Sequence, residues 1–351
     1  MLRRKITDQL LAWKNTPGRK PLIIKGCRQC GKTFSVLEFA RKNYKHTVYL
    51  NFFENPDYAS VFSGSLEIDN IVMMLSALLG KDAVFEPGQT ILILDEIQDC
   101  PEARTALKFF RIDGRYDVIG TGSLLGVKGY GKEPRSVPVG SETVLEMYPL
   151  DFEEFLWAND ITEPVIALLQ SSLDSGSPVP EALHNRMRQL LLQYTVVGGM
   201  PDAVQTFVTS RQMDEVLRIQ RDIVRSYEDD MVKYAEKKDK SRIKECFQSI
   251  PRQLAKENKK FQYSVVKKGS TSAKYAGSLQ WIEDAGIITR YKRQATICPL
   301  PSCLWMGMRK RIPLRSICAT PACSSACWRT ERSLTSCKAT SMATKALSLK
   351  T

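Results

Sequence analysis

At 351 residues with 43% hydrophobic content, the chain is long enough to bury one or two sizeable cores. No uninterrupted apolar run reaches the length of a membrane span, and Met1-Leu2-Arg3-Arg4-Lys5-Ile6-Thr7-Asp8 lacks the apolar core of a signal peptide. A cytoplasmic protein with no membrane partner is expected. The net charge of +13 is unevenly placed: residues 292–351 hold 11 Lys/Arg against the single acid Glu331, while the preceding residues hold 40 against 37. Six of the ten cysteines (Cys298, Cys303, Cys318, Cys323, Cys327 and Cys337) fall in that same last stretch. Body and tail are therefore two different compositions.

Residues 3–15 suit a helix with Ile6, Leu10-Leu11 and Trp13 on its apolar side. Pro21 to Lys25 reads as a short buried strand. It runs into Gly26-Cys27-Arg28-Gln29-Cys30-Gly31-Lys32-Thr33, which has the spacing G-x-x-x-x-G-K-[ST] of a phosphate-binding loop. Phe34 to Lys42 then has helical spacing through Phe34, Val36-Leu37 and Ala40. Strand, glycine loop and helix are the arrangement this chemistry needs. The glycines let successive N–H groups point at phosphate oxygens, and the helix N-terminus adds its positive dipole end. Lys32 is expected to reach the β- and γ-phosphates and Thr33 to ligate Mg²⁺. Residues 26–34, Phe34 included, are the expected nucleotide contacts.

Cys27 and Cys30 form C-x-x-C within the loop. A thiol near a helix N-terminus has a lowered pKa, so oxidative control of the loop is one reading. Small residues at the variable loop positions are the simpler one. Only His46 and His184 could complete a zinc site with them, so zinc is not expected.

Thr47 to Phe52 reads as a second strand, and residues 67–80 carry a helical stripe through Ile68, Ile71-Val72, Leu75 and Leu78-Leu79. Ile91-Leu92-Ile93-Leu94 is a continuous apolar run, as in a central parallel strand, and it ends in Asp95-Glu96. Acids at that carboxyl edge lie where ligands bind in open α/β sheets. Asp95 is placed to hold Mg²⁺ through water, and Glu96 to orient and deprotonate the attacking water. A helix is expected from Pro101 through Phe110 and a strand over Tyr116 to Gly120, delivering Thr121-Gly122-Ser123 to the same edge. There either hydroxyl could touch the γ-phosphate or the attacking water, or cap the next helix. Val144 to Tyr148 fits the last strand. Strands alternating with helices argue an α/β fold with a parallel, doubly wound sheet.

The phosphate loop, Leu94-Asp95-Glu96-Ile97-Gln98, Thr121-Gly122-Ser123 and Tyr148 to Leu156 together resemble a bacterial and archaeal family of AAA-type P-loop ATPases. In that family the ATPase precedes a domain of unknown function resembling restriction endonucleases. Gly198-Gly199-Met200-Pro201 and Tyr227 to Tyr234 extend the likeness, which covers about residues 1–290. The resemblance implies a sheet order of 5-1-4-3-2, Ser123 at the sensor position, and ATP as the nucleotide. Lys32, Glu96 and Ser123 are then the catalytic candidates, and Thr33 and Asp95 the metal candidates. Arg104, Arg111, Arg115 and Arg135 are equally placed to be an arginine finger. Self-association is compatible with this reading.

The expected organisation is an ATPase domain over 1–157, a helical and winged-helix-like region over 158–290, and an aberrant, disordered tail over 291–351. Residues 161–235 lack strand alternation. Over 240–290, Phe247, Ile250 and Leu254 mark one helix and Tyr275, Leu279 and Ile282 another, followed by Ile287-Ile288. Helix, short connection, helix and strand resemble a winged helix, as the family also implies. Lys256, Lys259, Lys260, Lys267, Lys268 and Lys274 fit either DNA phosphates or a solvated face.

Past Tyr291 the periodicity stops. A metal module lacks standard spacings, and a basic arm is a second reading. A frameshift near residues 291–300 explains more: regrouped from each third nucleotide, compatible codons can spell the family's F-K-x-Y-x-x-D-x-G-L-L and Y-x-K-G-x-x-x-E-N patterns in order. The nuclease-like domain would then be replaced here, and no site is expected in the tail.

Overall fold

A five-stranded parallel sheet carries the first half of the chain, built from β1 (Leu22–Gly26), β2 (His46–Asn51), β3 (Thr90–Asp95), β4 (Asp117–Ser123) and β5 (Thr143–Met147) in the order β2-β3-β4-β1-β5. This is the expected 5-1-4-3-2 arrangement. The computed structural model describes residues 2–123, 140–235, 239–256, 261–291 and 315–318, the last four by their backbone. Two compact units result: Met1–Ser177 with Gly199–Thr209, and Pro178–Gly198 with Ser210–Thr351.

In the first unit, every residue of β3 is buried, which is why its sequence is apolar without alternation. One face of the sheet, through Ile23, Val48, Leu50, Leu92 and Leu94, packs against α3 (Ile68–Leu79) and α4 (Pro101–Asp113). From these helices Ile71, Leu75, Ala106, Leu107 and Phe110 enter the core. Helices α1 (Ile6–Lys14) and α2 (Lys32–Asn43) bury Leu10, Trp13, Val36 and Phe39. After β5 the chain enters α5 (Phe152–Ala158) through a capping box. Asp151 accepts the Glu154 N–H at 2.9 Å, and Glu154 Oε2 accepts the Asp151 N–H at 3.0 Å. Helix α6 (Glu163–Ser175) follows. The second segment of the unit returns as Gly199-Met200 and most of α8 (Pro201–Ser210), whose Phe207 stacks on Phe155 at 6.0 Å between ring centres.

The second unit contains α7 (Glu181–Val197) and α9 (Met213–Tyr234). Buried Gln220 of α9 donates to the Val196 and Val197 carbonyls at 2.8 Å each, satisfying the open end of α7. Helix α10 (Lys240–Leu254) buries Ile243, Cys246, Phe247 and Ile250. The short α11 (Tyr263–Val266) leads to α12 (Ser272–Asp284), which buries Tyr275, Leu279, Trp281 and Ile282, and then to β6 (Ile288–Tyr291). Of the tail, β7 (Arg315–Cys318) pairs antiparallel with β6; the other readings made for residues 292–351 lie outside the described residues. Among the described residues no helix is long and apolar enough to cross a membrane.

Candidate functional site

The phosphate loop leaves the sheet between two neighbours. Gly26, the last residue of β1, is in register with Ser123 of β4 on one side and Met147 of β5 on the other. The approach is close enough to require glycine, since a Cβ there would lie 2.3 Å from the Met147 carbonyl oxygen. Gln29 and Gly31 both take left-handed backbone conformations, with φ of +62° and +91°. Such turns aim successive N–H groups into a concavity suited to an anion. Arg28, Gln29 and Phe34 face outward, whereas the side chains of Cys27 and Cys30 are buried beneath the loop.

Lys32, the first residue of α2, is buried, and its ammonium donates to the Gly26 carbonyl at 3.2 Å and the Cys27 carbonyl at 2.9 Å. An ammonium has three donors, so two hold the loop's own backbone. Thr33 Oγ1 donates to Asp95 Oδ2 at 2.9 Å. That contact joins the two motifs across 62 residues of sequence.

Asp95 is buried and surrounded by donors. Tyr49 OH donates to Oδ2 at 2.8 Å, the Glu96 N–H to Oδ1 at 3.1 Å, and the Thr121 hydroxyl also to Oδ1. Four donors meet the roughly four lone-pair sites of a carboxylate. Beside it, Glu96 sits at φ +52° and accepts from the Gln98 amide. Burial pushes the Glu96 carboxyl above its ordinary range, and neighbouring Asp95 adds to this, while Gln98 and Lys32 pull the other way. Cys30 is displaced in the opposite sense, down to about 6: the Cys27 thiol hydrogen-bonded to it outweighs burial, with Lys32 and Arg4 adding.

Of the two hydroxyls expected at the end of β4, Thr121 reaches Asp95, and Ser123 stands one sheet row beyond it, beside Gly26. Arg104 is in a partly buried ion pair with Glu142 at 2.6 Å, and Arg115 bridges Asp113 and Asp69. Arg111 donates to the Gly140 carbonyl at 2.7 Å. Arg135 lies outside the described residues.

Three contributors were not singled out by sequence reasoning. Tyr49 is one. Arg4 is another: it is buried, donating to the Cys30 carbonyl at 2.9 Å, the Tyr148 carbonyl at 2.6 Å and Glu154 Oε1 at 3.1 Å. Glu154 is the third, because it also accepts the Lys5 N–H at 2.7 Å. Its place in D-x-x-E after a strand was a usable capping-box signal. Gly199, quoted earlier only for its resemblance, lies where a Cβ would be 2.1 Å from the Leu150 carbonyl oxygen.

Residues 18–156 match the family model of an AAA domain, and residues 188–296 match that of a domain of unknown function. No curated protein matches the chain. Among solved structures it is similar to the Walker-type ATPase of Pyrococcus abyssi, with 11% identity, 93% of this chain and 96% of that one covered, and a TM-score of 0.53. It is also similar to the ORC2 protein of Aeropyrum pernix in ADPNP–ADP complexes, with 14% identity, 91% and 89% coverage, and a TM-score of 0.40. The first likeness shows the P-loop ATPase fold. The nuclease-like domain implied by the earlier resemblance has no counterpart in the two matched models, the second of which describes a domain of unknown function.

Proposed function

We propose that the chain binds and hydrolyses ATP with Mg²⁺, as a nucleotide-driven switch for its second unit. The observation that carries this reading is the Thr33–Asp95 hydrogen bond at the mouth of the glycine loop. A threonine hydroxyl has one proton and two lone pairs. With the proton held by Asp95, the lone pairs are left to face a cation. Among the described residues no cluster of three or more His, Cys, Asp or Glu side chains could hold a metal. Mg²⁺ needs none, since it takes few side chains and completes its shell with phosphate oxygens and water. Thr33 would hold it directly and Asp95 through Thr33 and water. When bound, the ion neutralises charge on the β- and γ-phosphates.

The remaining chemistry belongs to the chain. The loop N–H groups and the N-terminus of α2 bind the phosphates. Lys32 exchanges its carbonyl partners for phosphate oxygens. Glu96 accepts a proton from a water as the water oxygen attacks the γ-phosphorus, and ADP leaves with the electrons of the broken bond. Its upward displacement brings the base closer to neutral pH, where proton abstraction is more effective. Ser123, beside Gly26 at the sheet edge, is within the same cluster and suits a γ-phosphate contact.

The test has two arms. Lys32→Ala should abolish binding of labelled ATP, and Glu96→Gln should keep binding while stopping hydrolysis. Wild-type affinity in Lys32→Ala overturns the site.

A second reading, DNA binding regulated by nucleotide, draws on exposed Lys256, Lys268 and Lys274 in the second unit, together with its helix–helix–strand order. Lys267 is engaged by Glu245 at 3.0 Å and is the weaker candidate, and Lys259 and Lys260 lie outside the described residues. Affinity for duplex DNA should fall steeply with salt if phosphate contacts carry it. Reversing the charge of Lys268 and Lys274 without changing that affinity would remove the reading.

A further inference from the structure

We infer that Arg4 is a positioning residue of the nucleotide site: by holding the Cys30 carbonyl, it fixes the direction in which the Gly31 N–H meets the phosphates. The inference rests on the nucleotide reading above and adds to it a residue outside both motifs. The loop has a weakness at Gly31. Gly31 is at φ +91°, and without a Cβ it tolerates rotation of the peptide plane that precedes it. The Cys30–Gly31 peptide could therefore turn over cheaply, and its N–H would then point the wrong way.

Arg4 blocks that turn. In a planar trans peptide the C=O and the N–H lie on opposite sides, so fixing one direction fixes the other. Arg4 Nη1 donates to the Cys30 oxygen at 2.9 Å, which sends the Gly31 N–H away from Arg4. The guanidinium is itself held on its other two nitrogens, by the Tyr148 carbonyl at 2.6 Å and Glu154 Oε1 at 3.1 Å. Glu154 is oriented in turn by the N–H groups of Lys5 and Asp151. A rigid planar fork can be locked in this way, and a flexible ammonium cannot. The side chain is only 9% exposed, so the carbonyl contact is shielded from competing water. The same Nη1 lies 3.6 Å from where a Gly31 Cβ would be, so the guanidinium abuts the turn itself.

Arg4→Lys in the full chain is the variant of choice, because it keeps the charge opposite Glu154 and loses the fork. Binding of ATP, ADP and AMP is measured by calorimetry, alongside circular dichroism and thermal melting. Loop amides of this kind cradle the α/β-phosphates, so ADP and ATP should weaken by about tenfold or more, and AMP by less. In a ¹⁵N-labelled chain the Gly31 amide shift produced by ADP should shrink. A merely structural role would weaken all three nucleotides together, in step with melting temperature. Should Arg4→Lys fail to fold, Glu154→Gln removes the charge that orients the fork and should weaken ADP in the same order.

ADP affinity within about twofold of wild type in a folded Arg4→Lys chain, or in Glu154→Gln where only that folds, overturns the inference. So does a loss shared equally by AMP, ADP and ATP. If the wild-type chain binds no nucleotide, the function reading fails first and this inference with it. If binding is lost in Lys32→Ala yet kept in Arg4→Lys, only the inference falls.

Discussion

The phenol of Tyr49 donates to Asp95 Oδ2 at 2.8 Å, on the same oxygen that accepts the Thr33 hydroxyl at 2.9 Å. A residue of β2 therefore sets the orientation of the carboxylate that β3 delivers to the phosphate loop. In parallel register Tyr49 is opposite Ile93 and Asn51 is opposite Asp95, so the ring reaches forward along the strand to the site. Burial and the Asp95 charge both raise the Tyr49 hydroxyl's pKa, which keeps it a donor at any pH the protein meets.

Tyr49→Phe removes one donor from a buried carboxylate and leaves a lone pair unsatisfied. The expected cost is about 1–3 kcal/mol, read as a lower urea midpoint with an unchanged slope. Thr121→Val should cost a similar amount. The double variant should not be additive, because both donors serve one carboxylate. Additive losses would mean that the two hydroxyls act independently of Asp95.

Glu96 gives a pH prediction with a definite sign. Its carboxyl is raised in the folded chain, with burial the largest cause. The proposed base works only when ionised, so hydrolysis should fall as pH drops through this raised value, above the range of an ordinary glutamate. Stability runs the other way: the folded state holds the proton more tightly than the unfolded one, so this group's contribution is present at low pH and is lost as pH rises through the raised pKa. Glu96→Gln should flatten the stability profile there. An acid limb of the rate profile at the ordinary glutamate position would show that Glu96 is not the base.

The sheet was legible in the sequence because its strands are short and largely apolar and most are followed by a helical stripe; only its strand order came from the family resemblance. The phosphate loop and Asp95-Glu96 were legible for a related reason, since their chemistry fixes residue type and spacing. Arg4 was not. In Arg3-Arg4-Lys5 nothing local separates the buried arginine from its half-exposed neighbour Arg3, because its partners are backbone carbonyls 26 and 144 residues away. Tyr49 was hidden likewise. A tyrosine in a strand has a packing role by default, and its partner is named only by the register of β2 on β3. Thr121 and Ser123 were indistinguishable until the twist and pairing of β4 put one of them on Asp95.

Two cysteines should differ in reactivity. The Cys30 thiol is lowered to about 6, chiefly by the hydrogen bond from Cys27, whereas burial, with Glu245 adding, pushes Cys246 up to about 12. The thiolate is the nucleophile and both side chains are fully buried, so modification by iodoacetamide at pH 7.5 should be slow at both and reach Cys30 before Cys246, as read by peptide mass spectrometry. Cys30 Sγ also lies 3.6 Å from the Met147 carbonyl, a contact that only the thiol can donate. Labelling at Cys30 should therefore rise with pH through about 6 and then level. Equal labelling of the two residues in the folded chain would contradict the assignment.

The contact between Gly199 and Leu150 sets up the last prediction. A Cβ on Gly199 would lie 2.1 Å from the Leu150 oxygen and 3.1 Å from its C and N atoms, all backbone, so no side chain can move to make room. The two residues are also tied by the Leu150 N–H donating to the Gly199 oxygen at 2.7 Å. Leu150 directly precedes the capping box whose Glu154 holds Arg4, so a shift here propagates toward the phosphate loop. Gly199→Ala should cost about 3 kcal/mol or more, at or beyond the upper end for inserting a methyl group into a packed interior, and should weaken nucleotide binding as well. Gly277 is the control. It sits inside α12 with nothing within 4 Å of its would-be Cβ, so Gly277→Ala should stabilise by about 0.5–1 kcal/mol through the better helix former. Both values come from denaturation curves in the same buffer. A Gly199→Ala chain as stable as wild type would mean that the Leu150 backbone can retreat, and that the second segment of the first unit does not brace the loop.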